Sequence, residues 1–289
     1  MTLHFEKLPA VLGAEVTGVV LRDLTDPETL ARLRTGMDEH AVLVFRDQAL
    51  DSEEQLAFAR RFDGTLHSKT SVAVLGKNRF GNEALTDISN VGADGEILAA
   101  DNRLRMSTIS NRLWHTDASF QDPAGRYSML SAHVVPPVRA DTEFADMRSA
   151  YDALDEATRI SLEGLQVFHS IAYSREVMGF EFSAEEKDQL KGAVHPLVRT
   201  LPRSGRRSLY LASHASHIVG MPIPEGRLIL RDLSEHATQP KFVYRHEWRV
   251  HDFVIWDNRT TMHRARPFDD KKYRRELRRT TTLDLPLPA

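Results

Sequence analysis

The sequence predicts a mainly β fold with helical insertions, a sandwich or jelly roll, on three observations. Short strand-like runs recur beyond residue 112, and helical segments sit among them. No glycine-rich strand-to-helix turn marks a doubly wound nucleotide fold, and neither a Walker loop nor a Gly-x-Ser-x-Gly elbow occurs.

The elements follow in chain order. Asp26-Pro27 ahead of Leu30, Leu33 and Met37 predicts a capped amphipathic helix with proline at its first position. Ala41-Val-Leu-Val-Phe45 reads as a buried strand. Ser52 with Gln55 predicts a capping box before a second helix carrying Leu56, Phe58, Ala59 and Phe62. Residues 64–112 are polar, glycine-dotted and weakly periodic, and a stretch that long is more often functional or mobile than inert. Strands are then expected at 128–135, 142–145, 197–200, 208–211, 242–245, 253–256 and 280–283, with helices near 147–165, 183–190 and 225–237. No repeat or low-complexity linker divides the chain, so one domain over residues 1–289 is expected.

Composition narrows the function. With 41% hydrophobic and 27% charged residues the chain is an ordinary globular sequence. At 289 residues it can bury roughly three quarters of its unfolded surface, so a metal found here is expected to do chemistry and not to hold the fold. A net charge of −3, with acidic and basic residues mixed, offers no attraction for nucleic acid or anionic membranes. The absence of cysteine excludes disulfides, thiolate metal sites, iron–sulfur clusters and cysteine nucleophiles. The first residues lack the basic and apolar regions of a signal peptide, and no apolar run approaches the ~20 residues that span a bilayer. A cytoplasmic protein is the expectation.

Chemistry concentrates at two places. In extended backbone, residues two apart face the same side, so His115 and Asp117 of Trp114-His-Thr-Asp117 can present an imidazole and a carboxylate to one point. A distant histidine would complete a two-histidine, one-carboxylate triad with three open positions, which suits non-haem Fe(II) better than zinc. His263, after the strand-to-turn sequence Trp256-Asp-Asn-Arg259, is the candidate. The basic run Lys271-Lys-Tyr-Arg-Arg-Glu-Leu-Arg-Arg279 follows it. An iron enzyme that consumes a dicarboxylate needs a fixed cation, and arginine grips a carboxylate with two parallel bonds. Among the other histidines, the spacing of His214 and His217 suits a helix, and His246 and His251 read as a strand end and a polar turn. His67, His169, His195 and His236 read as structural or surface residues.

Several stretches resemble the taurine dioxygenase superfamily, and most of all its dichlorophenoxyacetate dioxygenase branch. They begin with Ala41-Val-Leu-Val-Phe-Arg46, Gln55-Leu-Ala-Phe-Ala-Arg60, Asp87-Ile-Ser-Asn-Val91 and Leu113-Trp-His-Thr-Asp-Ala-Ser-Phe120. They continue through Arg126-Tyr-Ser-Met-Leu-Ser-Ala132, Asp141-Thr-Glu-Phe-Ala-Asp-Met-Arg148 and Glu235-His-Ala-Thr-Gln239. Arg275-Glu-Leu-Arg-Arg-Thr-Thr-Thr282 closes a likeness that runs from about Val19 to Asp284.

The resemblance implies a double-stranded β-helix, and Fe(II), α-ketoglutarate as co-substrate and dioxygen. It makes His115, Asp117 and His263 the iron ligands, and gives Thr142 and Arg275 the far carboxylate of α-ketoglutarate. Arg279 would meet the acidic group of a small anionic substrate, Asn111 would line the same pocket, and Lys69 is a further substrate-binding candidate. A homo-oligomer is also implied. Two departures stand out: the segment from His263 to the arginines is one residue longer than in the branch, and Glu96 stands where a lysine is expected. The implied reaction is hydroxylation of an aryloxyacetate next to its ether oxygen. The alternatives are a sulfonate or alkyl sulfate dioxygenase and, more remotely, a metal-binding jelly roll without activity.

Overall fold

The computed structural model describes residues 2–68 and 79–286. Strands β1 (His4–Lys7) and β2 (Ala14–Thr17) pair antiparallel. Helix α1 (Pro27–His40) is capped by the Asp26 carboxylate and ends where Ala41 turns left-handed, φ 61°. The chain then enters β3 (Val42–Phe45). Helix α2 (Ser52–Asp63) starts as expected, but its cap is not Ser52. Asp51 holds the extended cap conformation and pairs reciprocally with Glu54, so the box lies one residue earlier than the Ser52/Gln55 reading.

Next come β4 (Thr86–Asp87), α3 (Arg103–Thr108), a 3₁₀ turn at Ile109–Arg112, β5 (Gly125–Val134) and β6 (Thr142–Asp146). The helix expected over 147–165 is two, α4 (Met147–Asp152) and α5 (Glu156–Leu162), because Asp155 caps a new start by accepting from the Thr158 amide. Strands β7 (Gln166–His169), β8 (Ala193–Pro196), β9 (Val198–Thr200), β10 (Arg207–Leu209) and β11 (Ala215–Ile218) are short, with α6 (Ile171–Glu176) and α7 (Ala184–Gln189) between the first two. Helix α8 (Ile223–Ala237) precedes β12 (Val243–His246), β13 (Phe253–Asp257), β14 (Thr261–Ala265) and β15 (Glu276–Leu283). No helix among the described residues is long and apolar enough to cross a membrane.

The largest sheet runs β1-β2-β3-β13-β5-β15-β4, and a three-stranded sheet runs β12-β6-β14. In the large sheet β3 and β13 are buried on both faces, which is why they read as near-continuous apolar runs. Leu43, Phe45, Tyr127, Met129, Phe253 and Ile255 pack against α1 and α2. Their alternates Val42, Val44, Leu130, Val254 and Trp256 face the other way and meet Phe144 of the smaller sheet. His263 lies opposite Phe144 in the β14–β6 register. The second face of the large sheet is therefore where the candidate ligands gather.

Candidate metal centre and flanking cavities

His115 is not in a regular strand. It makes an isolated antiparallel bridge with His263, their amides and carbonyls exchanging bonds of 3.0 and 2.8 Å, and the chain turns at once through Asp117. That turn brings the carboxylate back to both rings. His115 Nε2 lies 3.8 Å from Asp117 Oδ1, and His263 Nε2 lies 3.6 Å from Asp117 Oδ2. Two atoms each about 2.1 Å from one ion are at most about 4.2 Å apart. These pairs are therefore too distant to be good hydrogen bonds and close enough to share a cation. One ligand atom from each residue lies within 4.8 Å of the others, and all three residues are buried.

Protonation fits the same role, because ligation needs neutral imidazoles and an ionised carboxyl. Burial pushes His115 down to about 4 and His263 well below its usual value. Burial alone would raise Asp117, but the Arg279 guanidinium and the two imidazoles hold it at about 2. His115 Nδ1 donates to the Leu113 carbonyl at 2.8 Å, which turns the Nε2 lone pair inward.

A second layer orients the carboxylate. Ser128 Oγ donates to Asp117 Oδ2 at 2.8 Å and accepts from Asn258 Nδ2 at 2.9 Å. Asn258 Oδ1 accepts from the Asp117 amide and from the Trp256 indole. Both residues sit in sequence stretches that stand out as motifs, but only the fold shows what they hold.

On β15, Leu277, Arg279 and Thr281 face this site, while Arg278 turns to Ser52 and the Phe80 ring. Arg279 is ion-paired with Asp117. Arg279 thus sits in a strand and not on the helical repeat that its four-residue spacing from Arg275 suggests. Arg275 lies just before the strand, buried, with its amide donating to Asn90 Oδ1. Arg274 is half-exposed and pairs with Glu96, so the buried member of the doublet is Arg275.

Two cavities lie here, and of these only the smaller is lined by candidate ligands. One, of about 90 Å³, is lined by Arg275, Asn90 and Ala265. The other, about 30 Å³, is lined by His115, Asp117, Arg279 and Arg175. Ile88, Thr108 and Asn111 line both and form the partition. Thr142 is not among the lining residues. It pairs across the strands with Ala265, and its hydroxyl oxygen accepts from the Trp248 indole at 3.0 Å, leaving its hydrogen available to an acceptor. Lys69 lies outside the described residues.

Three wall residues escaped the sequence reading. His67, read as structural or surface, lines the smaller cavity. His214 also lines it, its Nδ1 sharing a hydrogen bond with Ser174 Oγ, and it sits in a turn that leads into the bulged strand β11 carrying His217, not in a helix. Arg175 is the third, and no motif flagged it. His246, by contrast, ends β12 as expected and is bound to Asp252 at 3.1 Å, away from the triad.

Two imidazoles and one carboxylate converging on a buried point, with cavities beside them, are the donor set of non-haem iron(II) oxygenases. The chain belongs to the TauD/TfdA family, whose profile, "Taurine catabolism dioxygenase TauD, TfdA family", matches residues 4–281. It is 46% identical over 284 residues to the α-ketoglutarate-dependent 2,4-dichlorophenoxyacetate dioxygenase of Burkholderia sp. (strain RASC), covering 98% of this chain and 95% of the relative. It is 38% identical over 271 residues to an (S)-phenoxypropionate/α-ketoglutarate dioxygenase of Sphingobium herbicidovorans, covering 91% and 88%. The crystal structure of AAD-2 in complex with Mn(II) and N-oxalylglycine superposes with a TM-score of 0.94 at 44% identity, covering 100% of both chains.

Proposed function

We propose that this chain is an Fe(II)/α-ketoglutarate-dependent dioxygenase acting on an aryloxyacetate-type acid such as 2,4-dichlorophenoxyacetate. It hydroxylates the carbon next to the ether oxygen, and the product falls apart to a phenol and glyoxylate, with succinate and CO₂ formed alongside. The observation that carries the reading is the buried convergence of His115, Asp117 and His263 beside two arginine-bearing cavities. The chain is read as one catalytic domain over residues 1–289, its sheets forming a double-stranded β-helix. A homo-oligomer, testable by sedimentation velocity, belongs to the same reading.

His115, Asp117 and His263 would hold the iron. Bound there, iron with α-ketoglutarate and dioxygen supplies the oxidising power that replaces a substrate C–H hydrogen by hydroxyl. The protein's own part is placement. Arg275, with the hydroxyl of Thr142, would fix the far carboxylate of α-ketoglutarate in the first cavity. Arg279 would hold the substrate's acid group in the second, with Asn111 in the partition and Lys69 as a further contact. Phe120 and Ile171 give that second cavity an apolar wall suited to an aryl ring. Ser128 and Asn258 keep Asp117 turned toward the metal position.

The test is phenol release from dichlorophenoxyacetate, dependent on Fe(II), α-ketoglutarate and dioxygen, with matching succinate. Rapid sulfite release from taurine with no phenol from any phenoxyacetate would overturn the assignment.

A further inference from the structure

The molecule has a consistent way of burying arginine, and it breaks the pattern twice. Five arginines among the described residues are buried: Arg126, Arg148, Arg175, Arg259 and Arg275. Arg126 pairs with Asp63 and Asp284, Arg148 with Asp146, and Arg259 with Asp257. Their charges are raised in stability by those carboxylates, which outweigh burial. Arg275 and Arg175 have no ion pair with any described residue, and residues 69–78 contain no Asp or Glu. Burial pushes both down to about 10, slightly opposed by Asp141 for Arg275, and for Arg175 reinforced by Arg279 and opposed by Asp117. A buried cation without a counter-ion is costly, and an anion brought by a ligand offsets that cost. The two exceptions line the two cavities, one each.

We propose that Arg175 is a substrate-recognition residue, a second guanidinium that receives the carboxylate of the aryloxy acid opposite Arg279. This rests on the function proposed above and deepens it. Arg175 is 3% exposed, on α6, and its Nη1 and Nη2 donate only to neutral oxygens, Ser174 Oγ at 3.1 Å and Asn111 Oδ1 at 3.3 Å. Its Nε is buried with no hydrogen-bond partner among the described residues. Arg279 is already engaged with Asp117, so part of its charge is answered by the metal-binding carboxylate. Arg175 is the cation in that cavity with its charge unanswered. The acid lies between the two guanidiniums, and the ring rests against Phe120 and Ile171, the first residue of α6, which share one apolar cluster. The pocket then selects for a carboxylate over a neutral group of the same shape, because only an anion relieves both cations.

The test compares wild type, Arg175→Gln and Arg175→Lys, each loaded with Mn(II) and N-oxalylglycine so that binding is read without turnover. The ligands are dichlorophenoxyacetate and its uncharged analogue dichlorophenoxyethanol, measured by calorimetry. Arg175→Gln should weaken the acid by about 10- to 100-fold, the range for hydrogen bonds to charged groups, while the alcohol changes little. N-Oxalylglycine affinity should stay within about 3-fold, and Arg175→Lys should recover part of the loss because it keeps the charge without the fork. In turnover the effect belongs in KM for the acid and not in KM for α-ketoglutarate. Acid affinity unchanged in Arg175→Gln, or acid and alcohol weakened alike, would overturn the proposal and leave Arg175 a packing residue. Should Arg175→Gln not fold, full acid affinity in Arg175→Lys with its fork lost counts against recognition, and a partial loss confined to the acid supports it. A wild type that neither binds dichlorophenoxyacetate nor releases phenol from it overturns the proposed function itself.

Discussion

His246 and His263 are both buried histidines, on the two strands that flank β6, yet their surroundings predict opposite phenotypes. His263 faces Asp117 and the ring of His115, with ring centroids 4.2 Å apart. His115→Ala, Asp117→Ala and His263→Ala should each abolish stoichiometric iron binding and turnover while circular dichroism stays native. A variant among these that keeps near-normal turnover with iron would remove its residue from the ligand set. His246 instead shares a proton with Asp252, itself paired with Arg46. His246→Ala should retain iron but lose roughly 1–3 kcal/mol, the cost of a buried polar group left alone. His251, at a surface turn with φ 67°, is the neutral control. The arginine doublet separates in the same way. Arg275→Ala removes the unpaired buried cation of the larger cavity, and KM for α-ketoglutarate should rise by about two to three decades. Arg274→Ala, which breaks only an exposed pair with Glu96, should leave it nearly unchanged. The reverse result would shift the register by one residue.

Elements explain why some of this is legible in the sequence. Strands β3 and β13 announce themselves because both faces are buried, so every residue but Asp257 is apolar. β15 hides half its length in a charged run: Glu276, Arg278 and Arg279 look like a solvated face until the pairing with β5 shows that alternate residues enter the site. His115 and Asp117 were recognisable from a two-residue spacing, although the spacing works through a bridge and a turn and not a strand. Arg175 was invisible because α6 is a six-residue helix whose side chains meet Asn111 only through tertiary packing. Caps give an element-scale test of the same limit. Sequence placed the α2 cap at Ser52, whereas the structure places it at Asp51, whose carboxylate accepts from the Glu54 amide at 2.8 Å. Asp51→Ala should cost about 1 kcal/mol, roughly 2 °C in Tm, and Ser52→Ala much less. Equal losses would return the cap to Ser52.

The whole molecule buries histidine on a scale that couples its stability to pH. Leaving aside the candidate ligands and the cavity-wall residues His67 and His214, His169 and His246 are fully buried and His195 nearly so. Burial is the main cause that lowers each of them. Arg199 adds to it at His195, neighbouring His195 and Arg199 add to it at His169, and Asp252 opposes it at His246. In the unfolded chain each returns to about 6.5. Between that value and the lower folded one, the unfolded state binds more protons, so stability rises with pH. The contribution is fully present above the unfolded value and is lost as pH falls below it. Each histidine held neutral takes away up to about 1.4 kcal/mol per pH unit in that window. The urea midpoint should therefore fall steeply between pH 7.5 and 5.5, with and without iron, since none of the three belongs to the triad. An iron-free protein with the same midpoint at both values would mean that these histidines take up protons in the folded state.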